Sequence, residues 1–163
     1  SDKVSDIRIE ADDNLIDLVV VRAVKGKLEA TLDQKVNNIQ NGNVTITVPA
    51  NGKIRSLDAS SASKIIGETT LKAGKFSIEA SSAAKIKLSG RADAARAELS
   101  SASKLAAAEL VVKQWKIDTS SAASARIHCS EQLDAEASSG SSIHYEGDCS
   151  TDITKSSGGS VSR

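Results

Sequence analysis

The sequence contains six copies of a short motif that opens with a pair of serines. The first three copies read SSASKI, SSAAKI and SSASKL, and the last three read SSAA, SSGS and SSGG; they begin at Ser60, Ser81, Ser100, Ser120, Ser138 and Ser156. The copies are 21, 19, 20, 18 and 18 residues apart, a period typical of one solenoid coil. The repeat therefore predicts stacked coils, each in contact mainly with its neighbours.

Apolar residues recur at fixed positions when the copies are aligned on the first serine. The column three residues before it contains Leu57, Ile78, Ala97, Ile117, Ala135 and Ile153. The column five before contains Arg55, Phe76, Ala95, Trp115, Leu133 and Thr151, and the column five after contains Ile65, Ile86, Leu105, Ala125, Ile143 and Val161. Spacing by two within a copy is typical of a strand, so these columns predict interior stacks that run from coil to coil.

We predict one all-β domain over residues 1–163, a single-stranded parallel β-helix with coils of about 18–21 residues. Right-handedness is expected from the usual rule for parallel crossovers. Residues 1–53, which lack the serine pair, are expected to form N-terminal coils and a cap, and residues 54–163 the six repeats. Helix is the competing interpretation for 91–110, which are rich in Ala, Glu, Leu and Lys, but the repeat on either side favours strand.

Composition narrows the possible partners. The 21 basic and 21 acidic residues cancel and form no dense basic run, which argues against a nucleic-acid partner. No stretch is long and apolar enough for a membrane span, and the chain begins at Ser1 without Met or a signal peptide, so we expect a mature fragment from which any secretion signal has been removed.

An acidic column precedes the serines and a basic one follows them. The acidic positions are Asp58, Glu79, Glu98, Asp118 and Glu136, and the basic positions are Lys64, Lys85 and Lys104. The plainest interpretation is a solvated ladder whose charges offset each other across the turn. The functional interpretation is that the five carboxylates form a ligand-binding surface, which could bind Ca²⁺. The spacing of the carboxylates would also suit a retaining glycosidase. The serine column itself predicts a tight corner, because an enzyme needs one activated serine and not a ladder.

Two cysteines, Cys129 and Cys149, lie about one repeat apart. Adjacent coils would bring them within reach of a disulfide, and two buried thiols are the alternative. A zinc site with His128 and His144 lacks the close ligand spacing that such sites use, so no metal site is predicted.

Three segments are similar to one known family. The run from Ala137 to Gly147, the terminal SSGGSV from Ser156 and the VTITVP from Val44 resemble the head GIN domain family of autotransporter-type adhesins from Bacteroides-like bacteria. The resemblance spans nearly the whole chain. It implies a parallel β-helix, export to the periplasm or cell surface, a role in adhesion and no catalytic residues.

These observations together predict a non-enzymatic cell-surface or envelope module that binds a glycan or a surface protein, without a cofactor. Two alternatives stay open: a polysaccharide-active enzyme that uses the acidic column, and a structural spacer that associates with copies of itself.

Overall fold

The computed structural model of the protein describes residues 8–11, 19–24, 27–32, 44–47, 54–60, 63–67 and 71–163. Within these ranges every regular element is a β-strand, so none is a helix able to cross a membrane. The chain divides into two compact units, Ser1–Pro49 and Ala50–Arg163.

The described part of the first unit contains four strands: β1 (Arg8–Ala11), β2 (Val19–Val24), β3 (Lys27–Leu32) and β4 (Val44–Thr47). Strand β1 pairs with β4 and β2 pairs with β3, both antiparallel. This pairing differs from the parallel pairing of stacked coils. A capping role for residues 1–53 stays a prediction.

The second unit is a stack of parallel strands: β5 (Ser56–Ala59), β6 (Lys64–Ile66), β7 (Leu71–Ala80), β8 (Lys85–Leu99), β9 (Lys104–Thr119), β10 (Ser124–Ala137), β11 (Ser142–Glu146), β12 (Ser150–Lys155) and β13 (Ser160–Ser162). Strands β7 to β10 pair in chain order, each with the next coil's strand. Strand β10 then pairs with both β11 and β12, and β11 with β13. The predicted parallel β-helix is confirmed.

The register joins the residues that the repeat alignment placed together. Ile86 lies beside Leu105, Leu105 beside Ala125, and Ala125 beside Ile143. The column from Leu57 to Ile153 is likewise continuous. Its members in the middle coils are at most 1% exposed. In the column five residues before the serine pair, the end members Arg55 and Thr151 are exposed.

Side-chain volumes compensate within a coil. Ala95 and Ala97 fill two interior positions with small side chains, and Leu99, two residues further along β8, is 2% exposed where the neighbouring coils carry Ala80 and Thr119. Close packing requires such exchanges, since a void forfeits contacts on all its walls. The Ala-rich segment of β8 and β9 is thus strand, because coil stacking outweighs helix propensity.

The described serine pairs form tight turns. The N–H of the fourth motif residue donates to the carbonyl of the first serine at 2.8–3.1 Å, as from Ala84 to Ser81. In the five turns from Ser81 onward, both central residues have positive φ, 45–51° at the second serine and 60–77° at the next residue. Such φ values cost non-glycine residues about 1–2 kcal/mol each. Bonds between successive turns, such as Ala83 N–H to Ser101 O at 2.8 Å, offset that cost.

The fourth position of the four middle turns, from Ser81 to Ser141, points into the core. Ser103 and Ser141 occupy it and are at most 1% exposed. Ser103 donates to the carbonyl of Ala80 at 3.0 Å, and Ser141 donates to the carbonyl of Thr119 at 2.9 Å and lies 2.8 Å from its hydroxyl. The serine corner is therefore structural, as the six-fold repetition predicted.

Candidate functional site

The acidic column is continuous in the structure. Asp58 lies beside Glu79, and Glu98 follows in the next strand. Asp118 and Glu136 complete the column, and Thr154 ends it. All five acidic side chains are exposed except Asp118, which is half-buried. Parallel pairing separates neighbouring members by about 4.8 Å of strand spacing.

An open groove of about 500 Å³ runs between this column and the serine turns. Its lining consists of the five carboxylates together with hydroxyl groups and the edges of the corner, including Ser81, Ser100, Ser120 and Ser138. The groove forms because each strand ends one residue before its turn, where the chain changes direction. It presents carboxylate acceptors opposite hydroxyls that can donate or accept. The five candidate site residues are thereby brought to one surface; their role in binding stays a prediction.

Basic neighbours hold parts of this sheet face in place. The guanidinium of Arg96 donates to Glu98 Oε1 from Nε at 3.0 Å and from Nη2 at 2.6 Å. One column further from the groove, Lys116 Nζ lies 2.7 Å from Asp134 Oδ2. The hydrogen bond with Asp134, and then its charge, raise the pKa of Lys116. Both ion pairs are exposed, so they orient side chains and add little stability.

The other side of the turn is basic. Lys64, Lys85 and Lys104 stack in register, followed by serines in the later coils. Two residues further along lies a second outward column: Ile66, Lys87, Ala106, Arg126, His144 and Ser162. The repeat alignment found the lysines and missed the second column as a unit, because it varies in residue type. The alternation of the strands was the signal that could have revealed it.

The two cysteines are neighbours and are unbonded thiols in this structure. Cys129 is fully buried, and its Sγ–H lies 3.0 Å from the carbonyl of Gln132. Cys149 is half-buried against it, beside the ion pair of Asp148 with Arg163. Burial, and then the neighbouring Cys129 thiol, raise the pKa of Cys149 to about 11. A disulfide between the two thiols stays a prediction.

The chemistry that the acidic groove can perform follows from its exposure. Within the described residues, no three His, Cys, Asp or Glu side chains cluster closely enough to hold a metal ion. A general acid of a glycosidase typically lies in a secluded pocket, whereas Glu79, Glu98 and Glu136 are exposed along an open ladder. The arrangement is suited to repeated polar contacts with an extended ligand.

The fold and the site together define a parallel β-solenoid whose polar columns repeat once per coil. The chain belongs to the family described as "Putative auto-transporter adhesin, head GIN domain", which it matches over residues 1–149. This confirms the resemblance predicted from the residues. The chain matches no protein of curated function.

Solved structures of bacterial proteins have a similar fold. A structure from Bacteroides fragilis described as a putative adhesin has a TM-score of 0.69 at 18% identity and covers 96% of this chain and 81% of its own. A second, from Parabacteroides merdae and described in the same words, has a TM-score of 0.54 at 18% identity, with coverages of 96% and 82%. At these identities the likeness concerns the fold alone.

Proposed function

We propose that this protein is a non-enzymatic adhesion module, exported to the cell surface or envelope, which binds an extended glycan in the groove beside the acidic column. The observation that carries the proposal is the register of that column, which repeats the same carboxylate and hydroxyl groups in successive coils. A polymer of like units can make the same contacts at each step. Membership of an adhesin family supports the surface role.

Carboxylates and hydroxyls recognise sugars by hydrogen bonding. Ionised carboxylates accept from sugar hydroxyls, and charge-assisted bonds of this kind are stronger than neutral ones. Glu79 and Glu136 have no ion-pair partner among the described residues, so both remain available for such bonds. The module needs no cofactor for this contact, and Ca²⁺ bridging successive carboxylates to the sugar is a variant of the same proposal.

The test is a glycan array probed with the full chain, first with calcium and then with a chelator. A variant with Glu79→Gln, Asp118→Asn and Glu136→Gln should lose binding at least about tenfold, since charge-assisted bonds are removed in three of the five coils that carry the acidic column. The matched control neutralises three exposed carboxylates away from the groove, by Glu109→Gln, Glu131→Gln and Glu146→Gln, and should bind as the unaltered chain does.

Each contrary result has a distinct meaning. A blank array with retained adhesion of the module to whole cells would replace the glycan with a protein partner. If the control variant loses glycan binding to the same extent, the glycan does not bind in the groove. Release of reducing ends from a polysaccharide panel, abolished by Glu98→Gln alone, would overturn the non-enzymatic role and favour hydrolysis. Loss of binding only on chelation would assign the contact to calcium.

A further inference from the structure

Five successive coils carry an acidic side chain on one side of the serine turn and a basic side chain on the other. The acidic and basic members of the five coils are, in order, Asp58 and Lys64, Glu79 and Lys85, Glu98 and Lys104, Asp118 and Arg126, and Glu136 and His144. The sixth coil carries neither, since Thr154, Ser160 and Ser162 stand at these positions. The separation of acidic and basic side chains on the two sides of the turn therefore repeats along the stack.

From Glu79 to Glu136, the described acidic side chains form no ion pair with the basic side of the turn. Glu98 is bound sideways by Arg96 on its own strand. Lys85, Lys104 and Arg126 are exposed and have no ion pair with a described residue.

The basic side extends over two columns. These columns, defined here as the basic face, contain Lys64, Lys85, Lys104, Ser124, Ser142 and Ser160, and Ile66, Lys87, Ala106, Arg126, His144 and Ser162. No acidic residue occurs in either. Since both the basic face and the acidic column belong to the same coils, their repeat distance along the stack is the same, about 4.8 Å.

We propose that the basic face of one molecule docks on the acidic column of a second copy, with the two stacks side by side and coil matched to coil. A second copy supplies carboxylates at the period of the basic face. The 21 basic and 21 acidic residues leave the chain without net charge, so two copies do not repel each other at long range. An anionic polymer fits less well, because the acidic column across the same turn would repel it.

The contact joins two different surfaces and is heterologous. Every pair of molecules then retains one free acidic column and one free basic face, and association continues into a row unless the row closes on itself. This inference goes beyond the proposed function and does not rest on it, since association needs no glycan. A neighbouring copy would cover the groove, so a bound glycan and a neighbouring copy compete for the acidic column.

The experiment is sedimentation velocity of the full chain across a wide concentration range at about 0.01 M and about 1 M salt, where the screening length falls from about 30 Å to about 3 Å. At low salt the weight-average mass should rise with concentration past roughly twice the monomer mass of 16.9 kDa, without stopping at a dimer. At high salt the chain should sediment as a monomer, because the docking charges are exposed and screened.

Two charge-reversed variants test the docking mode. The acid-reversed variant carries Glu79→Lys, Glu98→Lys and Asp118→Lys, and the base-reversed variant carries Lys85→Glu, Lys104→Glu and Arg126→Glu in the same three coils. Exposed positions elsewhere restore the net charge: Lys72→Glu, Arg91→Glu and Lys155→Glu in the first variant, and Glu109→Lys, Glu131→Lys and Glu146→Lys in the second. A control chain carries both compensating sets and no docking change.

Each variant alone should stay monomeric at low salt, because two surfaces of the same sign meet. An equal mixture of the two variants should associate again, because the lysines in the reversed column of one variant meet the glutamates in the reversed face of the other. This regained association also shows that both variants are folded. The control should associate as the unaltered chain does.

Four results would overturn the proposal. They are a monomeric unaltered chain at low salt, association of either variant alone, a mixture that stays monomeric, and association that appears only after a soluble polyanion is added. The last would assign the basic face to the polyanion instead. Glycan binding is not read out in any of these measurements, so their failure leaves the proposed function standing.

Discussion

The indole Nε1–H of Trp115 donates a hydrogen bond to the main-chain oxygen of His128, 3.0 Å away. Trp115 lies in the interior of β9, and His128 lies in β10 at a shift of register, where pairing jumps from Ala107 to Val111. The side chain thus supplies a donor at a point where the ladder between the strands is interrupted. Satisfying a carbonyl at such a break matters because an unpaired buried polar group is costly.

Truncating Trp115 should destabilise the solenoid strongly. Trp115→Ala leaves a cavity in a closely packed column and should lower the free energy of unfolding by about 3–5 kcal/mol. Trp115→Phe keeps a ring but removes the donor and should cost about 1–3 kcal/mol. Urea unfolding followed by circular dichroism is the measurement, since Trp115 is the sole tryptophan. Ile66→Ala, at a side chain 49% exposed, is the control and should change stability by less than about 0.5 kcal/mol. Equal losses in Trp115→Phe and Ile66→Ala would contradict the role of the hydrogen bond.

Adding a methyl group at Gly147 should disrupt the join between β11 and β12. Its φ is +96°, and a Cβ there would fall on the carbonyl oxygen of Cys129. Gly147→Ala should therefore lower the free energy of unfolding by about 2–4 kcal/mol. The matched control is Gly140→Ala, at φ +70°, where a Cβ would meet nothing within 4 Å and where earlier turns carry Ala102 and Ala122. Thermal melts should show a smaller loss for the control, about 1–2 kcal/mol, because Gly140→Ala has the cost of positive φ without the steric clash; a similar loss in both variants would refute the steric argument.

The buried hydroxyl pair of Ser141 and Thr119 should couple energetically. Ser141→Ala removes a donor to the Thr119 carbonyl and an acceptor for the N–H of Ser138, and should cost about 1–3 kcal/mol. Ser142→Ala, on an exposed side chain, is the control, with an expected change below about 0.5 kcal/mol. A double-mutant cycle with Thr119→Val should give a coupling of about 0.5–3 kcal/mol by urea denaturation. Strict additivity would show that the two hydroxyls act independently.

The reduced protein should lose stability at alkaline pH through Cys149. Its pKa is raised from 9.0 to about 11 in the folded state, so the folded thiol keeps its proton where the unfolded chain has released it. The resulting stabilisation is complete below about pH 9 and is lost as pH rises toward 11. The measurement is the urea midpoint of the unaltered chain and of Cys149→Ser, under reducing conditions and at a series of pH values. The difference between the two midpoints gives the contribution of Cys149 to stability at each pH. A difference that stays constant across that range would contradict the prediction.

Oxidation should join Cys129 to Cys149. Treatment with oxidised glutathione removes two electrons and two protons from the thiols, closes the bond and releases reduced glutathione. Closing a loop of roughly 20 residues should add about 3 kcal/mol to the free energy of unfolding. Peptide mass spectrometry of the non-reduced protein identifies the bond, and urea unfolding before and after reduction measures the gain. Cys149→Ser should show no such gain; two free thiols persisting after oxidation would leave the pair as a buried thiol contact.

The sequence by itself determined which residues share a column. In a solenoid each coil packs on its neighbours, so the period of the serine motif places Ile78, Ala97 and Ile117 together, and likewise Glu79, Glu98 and Asp118, without any further information. The interior columns, the acidic column, the lysine column and the corner role of the serines were therefore predictable, and so was the strand in the Ala-rich segment.

Only the tertiary structure decided features that depend on how the coils close and fit in three dimensions. Serine and alanine adopt left-handed backbone in the turns because bonds to the next turn hold them there, which their residue types do not indicate. The register shift beside His128, the meeting of Cys129 with Cys149 and the continuity of the second basic column arise from coils of unequal length that must still stack. A period read from sequence gives the order of the coils, whereas the local departures from it are settled by packing.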